Sequence, residues 1–198
     1  MHPILPPGTH QRITDGEGHW YEFTTQTTPS SCAPCCLRFI IKQATNRIVD
    51  EKVLQEMITL HQSAGLYHGS LGQGGSVESG GDHDWIDRGT GLGAVPPILA
   101  RYVRNKELST LDEAVGGFLA ATPRKPVFAA VHWGHEEYHA VVILGLNRNR
   151  TTLIVIDPFF GLQKVRLDSD NDPCYRPVDL RGEVVRTGQW LSWACAVM

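Results

Sequence analysis

Apolar positions change their period once along this chain. In segments between residues 32 and 121 they recur at helical spacing, and from residue 127 they gather into short continuous runs. Leu37, Ile40, Ile41 and Ala44 predict a helix from Cys32 to about Thr45, with Asn46 as its terminator. Ser31 suits its N-cap, and Pro34 falls in the first turn, where a missing N–H costs nothing. Val53, Leu54, Met57, Ile58 and Leu60 predict a second helix over Asp50 to His61, with Asp50 at its cap. Pro96-Pro97 opens a third over Ala94 to Val103, and Thr110 to Ala121 forms a fourth with Asp112 and Glu113 in its first turn.

Strand-like runs follow. They are Val127 to His132, His139 to Gly145 and Thr151 to Asp157, joined by a wide turn at Gly134 to Tyr138 and a tight one at Asn147 to Arg150. Leu162 to Leu167 adds another strand, and Trp190, Trp193 and Cys195 mark a last packed segment. Ahead of the helices, Tyr21 to Thr25 reads as a short strand, and residues 1–20 as an extended, loosely held arm rich in Pro and Gly. Helices first and an antiparallel meander second give an α+β domain over residues 21–198. Half of the twenty glycines lie in residues 65–93, which reads as a functional loop or an insertion in that domain.

Composition narrows the function classes. With 41% hydrophobic and 20% charged residues the chain has the make-up of a folded domain. A net charge of −3 gives no pull toward nucleic acid, and no apolar run is long enough to be a membrane segment. The start, Met-His-Pro-Ile-Leu-Pro-Pro-Gly, lacks the pattern of a signal peptide, so a cytoplasmic setting is expected, or leaderless secretion or injection as an effector. Five cysteines, three of them within five residues, argue for reduced thiols over a disulfide framework.

The candidate chemistry starts at Cys32. A thiol in the first turn of a helix feels the positive end of the helix dipole, which favours the nucleophilic thiolate. Gln26, six residues upstream, offers an amide donor for a developing oxyanion. His139 opens one strand and Asp157 closes the next, so an antiparallel hairpin makes them neighbours at one sheet edge. The carboxylate can then hold one imidazole nitrogen while the other takes the thiol proton. Cys35 and Cys36 lie deeper in the helix and read as packing residues. Two other constellations compete. Cys32-Ala-Pro-Cys35 has redox spacing but no βαβ setting, and His132, His135 and His139 with the cysteines have zinc-ligand types but no helical motif.

The set Gln26, Cys32, Tyr138-His139-Ala-Val-Val and Asp157-Pro158-Phe159-Phe160-Gly161 resembles the papain-like cysteine peptidases. Within them it is most similar to the bacteriocin-processing (double-glycine leader) peptidase family and its stand-alone relatives, over roughly residues 21–165. Ser31-Cys32-Ala33 stands where that family usually has Asp-Cys-Gly. The resemblance implies a papain-like fold, with the nucleophile at a helix start packed on an antiparallel sheet. It also implies a thiol protease hydrolysing a peptide or protein substrate, with Cys32, His139, Asp157 and Gln26 as its site and no cofactor or metal. The same machinery serves glutamine deamidases and acyltransferases, toxins and effectors among them, and the fold can persist as an inactive peptide-binding domain.

Overall fold

The runs after residue 126 build the element that carries everything else. Val127–Gly134 (β4), Glu137–Leu146 (β5), Thr152–Asp157 (β6) and Gly161–Arg166 (β7) pair in sequence as an antiparallel meander. Asn105–Leu108 (β3) and Gly188–Val197 (β9) complete one sheet in the order β3-β9-β4-β5-β6-β7, and Cys174–Tyr175 (β8) pairs off β9. The computed structural model describes residues 5–15, 18–63, 92–109, 125–134, 137–167, 174–179 and 181–198. The fourth helix expected at Thr110 to Ala121 lies outside them, as does nearly all of the Gly-rich segment at 65–93.

Continuous apolar runs, in place of alternation, mean that both faces of the sheet are covered. On one face Phe128, Ala130, Ala140, Val142, Ile154 and Ile156 pack against the helices Cys32–Thr45 (α1), Glu51–Ser63 (α2) and Val95–Ala100 (α3). On the other, Val127, Ala129, Val131, Val141, Ile143 and Val155 pack with Tyr175 and Trp190. The domain is α+β.

Helix α1 starts and stops where its sequence implies. Asn46 closes it in the left-handed region at φ 58°, its N–H returning to the Lys42 carbonyl at 2.9 Å. At the other end the expectation needs correction. Ser31 precedes the helix but makes no side-chain cap; its hydroxyl closes the turn before it, accepting from the Thr28 N–H at 3.0 Å. Asp50 does cap α2, its carboxylate accepting the Lys52 N–H at 2.8 Å. Helix α3 is shorter than expected, with its prolines in the first turn and a single 3-10 turn, Leu92–Ala94, ahead of it.

The arm expected over residues 1–20 contains a strand. His10–Thr14 (β1) pairs antiparallel with Trp20–Thr24 (β2), and Ile13 packs on the helical core. Pairing of β4 with β5 continues to Gly134 opposite Glu137, into the segment expected as a wide turn. The last packed segment is an interior strand: β9 lies between β3 and β4.

Candidate active site

Three local structures converge at one end of the sheet. Helix α1 brings Cys32 in its first turn, on the side of the helical core. Strands β5 and β6 bring His139 and Asp157. Strand alternation puts both on the side of the second cluster, two residues from Val141 and Val155 respectively. The centre therefore sits where the two cores meet at the sheet's end.

His139 Nε2 lies 3.0 Å from Asp157 Oδ1. Both residues are buried, at 3% and 0% exposure, so the pair is dry. Cys32 hydrogen-bonds with the same imidazole. Asp157 is anchored from several sides. Oδ1 also accepts the N–H groups of Phe159 at 2.7 Å and Phe160 at 3.0 Å, and Oδ2 accepts the Tyr175 hydroxyl at 2.7 Å. The Asp-Pro-Phe-Phe-Gly turn thus uses its own backbone to fix the carboxylate, a local bond to which Asp is well suited.

Aromatic rings hold the imidazole plane. Phe159 stacks on His139 at 5.5 Å between centroids, and Trp133 lies at 5.6 Å. Trp133 is itself confined by a glycine. A Cβ at Gly188 would stand 2.6 Å from the indole Cε3 and 2.5 Å from Val131 Cγ1, so any side chain there displaces the ring. Arg186 covers Trp133 at 5.0 Å in a cation–π contact.

The electrostatics follow from this packing. Burial by itself disfavours an imidazolium, but the Asp157 carboxylate, by charge and by hydrogen bond, overrides it with help from Cys32. The His139 pKa is raised from 6.5 to about 10. For Cys32, burial acts to raise the thiol pKa. The hydrogen bond and charge of His139, with the N–H groups of Ala140 and Ala33, outweigh burial and bring it below the ordinary 9.0. The two shifts favour the thiolate–imidazolium pair. Cys35 and Cys36 shift the other way, their thiols pushed up mainly by burial. Cys35 donates its S–H to the Thr24 carbonyl at 3.1 Å.

Gln26 is brought to the same neighbourhood. Its N–H bonds the Pro158 carbonyl at 3.2 Å, next to Asp157. The arm holds the loop from one side, where the Thr25 hydroxyl donates to the Pro6 carbonyl at 2.7 Å and accepts the Thr9 N–H at 2.8 Å. From the other side Glu51 accepts the N–H and hydroxyl of Thr27 at 3.1 and 2.6 Å, and it pairs with Arg38 at 3.3 Å. The Gln26 amide, however, donates to the carbonyls of Thr28 at 2.6 Å and Pro29 at 3.0 Å, leaving Oε1 buried without a partner. Flipping the amide would set Oε1 against two carbonyls, so those carbonyls fix its direction.

Sequence reasoning singled out the thiol, the imidazole, the carboxylate and the amide. It missed Tyr175, Trp133 and the Arg38–Glu51 pair, which enter only through the pairing of distant strands and helices. Among the described residues no group of three or more His, Cys, Asp or Glu side chains is placed to hold a metal ion. His135, one of the zinc candidates, lies outside them. Nor is any described helix long and apolar enough to cross a membrane. No protein-family model matches the chain, and no curated protein matches it.

Proposed function

We propose that the chain is a papain-like cysteine hydrolase acting on peptide or protein amide bonds. The observation that carries this reading is the relay from Cys32 at a helix start, through His139, to the buried Asp157, which lies 3.0 Å from the ring. Relays of this type activate a thiol for covalent catalysis. Resemblance to the bacteriocin-processing peptidases supports the same chemistry.

In this mechanism the Cys32 thiolate attacks the substrate carbonyl carbon, and the electron pair moves to the carbonyl oxygen. The Cys32 N–H at the helix start faces that developing charge. Gln26 adds its amide by exchanging one carbonyl bond for one to the oxyanion, and charge-assisted bonds are about twice as strong as neutral ones. As the carbonyl re-forms, the C–N bond breaks and the His139 imidazolium gives its proton to the leaving amine. Water then attacks the thioester while His139 takes its proton; the C–S bond breaks, the acid is released and the Cys32 thiolate–His139 imidazolium pair is restored. Asp157 keeps the ring oriented and balances its charge throughout.

The test is incubation with a mixed peptide pool, read by mass spectrometry for the wild type and Cys32→Ala. New peptide termini that depend on Cys32 are expected. Cys32-dependent conversion of glutamine to glutamate without cleavage would move the reading to a deamidase. No Cys32-dependent change of any kind would contradict thiol catalysis.

A further inference from the structure

Asp157 has a fourth partner that the relay does not require. Tyr175 lies on β8, a two-residue strand that pairs with β9. Its hydroxyl donates to Asp157 Oδ2 at 2.7 Å, the carboxylate oxygen that His139 does not use. Tyr175 and Asp157 are both wholly buried, so no bulk water reaches Oδ2 in its place. The ring is held between Trp190 at 5.0 Å and Trp133 at 5.7 Å, and Trp133 is the ring that lies against His139.

We propose that Tyr175 is a positioning residue of the site, its hydroxyl holding the Asp157 carboxylate with Oδ1 aimed at His139. This inference rests on the cysteine-hydrolase reading. A buried carboxylate persists only if its oxygens find donors. Oδ1 has three, whereas the donor found on Oδ2 is this phenol. The phenol is a durable donor, because burial and the Asp157 charge keep it protonated far above neutral pH. The other titratable groups around the carboxylate are His139 on β5 and, from α1, Cys32 and Cys36. Of these, His139 is bonded to Oδ1, Cys32 reaches the relay through His139, and Cys36 stays a neutral thiol.

Removing the hydroxyl leaves Oδ2 without its donor and frees the carboxylate to turn away from His139. A carboxylate that has turned supports the imidazolium less, and the thiolate loses part of its charged partner. The acid limb of thiolate formation at Cys32 then moves to higher pH. One hydrogen bond to a buried charge corresponds to a displacement of about one pH unit.

The experiment is the pH dependence of iodoacetamide labelling at Cys32, mapped by peptide mass spectrometry, in the wild type and Tyr175→Phe. The phenylalanine ring keeps the contacts with Trp133 and Trp190. The acid limb is expected to rise by about one unit. A variant that melts earlier but labels along the wild-type profile would reduce Tyr175 to a packing residue and overturn the proposal. Should Tyr175→Phe not fold, 3,5-difluorotyrosine placed at position 175 decides, since this stronger donor keeps the shape. Its acid limb is expected below the wild type's, and an unmoved limb overturns the proposal. If wild-type Cys32 itself labels as an ordinary thiol, it is the hydrolase reading that fails, and this inference with it.

Discussion

Cys32 and Cys35 are the same side chain on the same helix, three residues apart, and the protein drives them in opposite directions. Cys35 is fully buried, its S–H given to the Thr24 carbonyl, and burial pushes its pKa up. Cys32 also experiences burial, yet the imidazole beside it and two N–H groups bring its pKa down. The helix dipole is shared and cannot be the whole difference, although it weakens beyond the first turn. What separates the two thiols is the imidazole beside one and, at the other, burial that the nearby Arg38 guanidinium does not offset. In the proposed mechanism a helix start makes a cysteine eligible, and the buried His139–Asp157 pair makes it reactive.

The widest gap between the two thiols is expected on substitution. Once a cleaved peptide is in hand, Cys32→Ser should lower kcat/KM by about four orders of magnitude or more, as loss of a nucleophile does. Cys35→Ala should leave it within about a factor of two, since that thiol touches no reacting atom. Asp157→Asn comes next, with an expected loss of about 10³- to 10⁴-fold in kcat. The amide that replaces the carboxylate cannot balance an imidazolium, so labelling at Cys32 should drift toward that at Cys35. An Asn variant with an unaltered Cys32 profile would show that the helix start alone activates the thiol.

Gln26→Ala should cost roughly 10- to 100-fold in kcat with little change in KM. That is below the 10²- to 10³-fold of a fully aimed oxyanion donor, because the amide must first leave a carbonyl. A rise in KM alone would assign Gln26 to substrate binding. The smallest catalytic effect is expected from Arg38→Met. It strands the Glu51 carboxylate, which is 5% exposed and holds Thr27, and should cost about 3 kcal/mol in urea unfolding. The Cys32 labelling profile should stay in place in that variant, which separates support of the Gln26 loop from activation of the thiol.

Which of these residues were legible in the sequence follows from how each is held. His139 and Asp157 could be paired because a hairpin register is local, and the tight Asn147 turn brings together strands that must meet. Helix α1 was readable from its apolar spacing and from Asn46. Strand β1 was not, because Pro and Gly dominate its surroundings and its stability comes from pairing with β2 and from Ile13 on the core. Ser31 has the residue type of a cap, yet the turn at Thr28 claims its hydroxyl. The direction of the Gln26 amide was hidden for the same reason: two neighbouring carbonyls compete for it. Tyr175 and Trp133 left no local signal at all. Their roles depend on β9 lying between β4 and β8, a long-range pairing that no spacing along the chain announces.

The central claim is that His139, and not the helix start, makes Cys32 a thiolate. It is tested most directly by iodoacetamide labelling of Cys32 and Cys35 across pH in the wild type and His139→Ala. The thiolate should appear at Cys32 below the ordinary thiol range and stay paired with the imidazolium until His139 loses its proton near pH 10. Cys35 should label slowly throughout. In His139→Ala the early onset at Cys32 should vanish. If Cys32 keeps that onset without the imidazole, or never shows it in the wild type, the account is wrong.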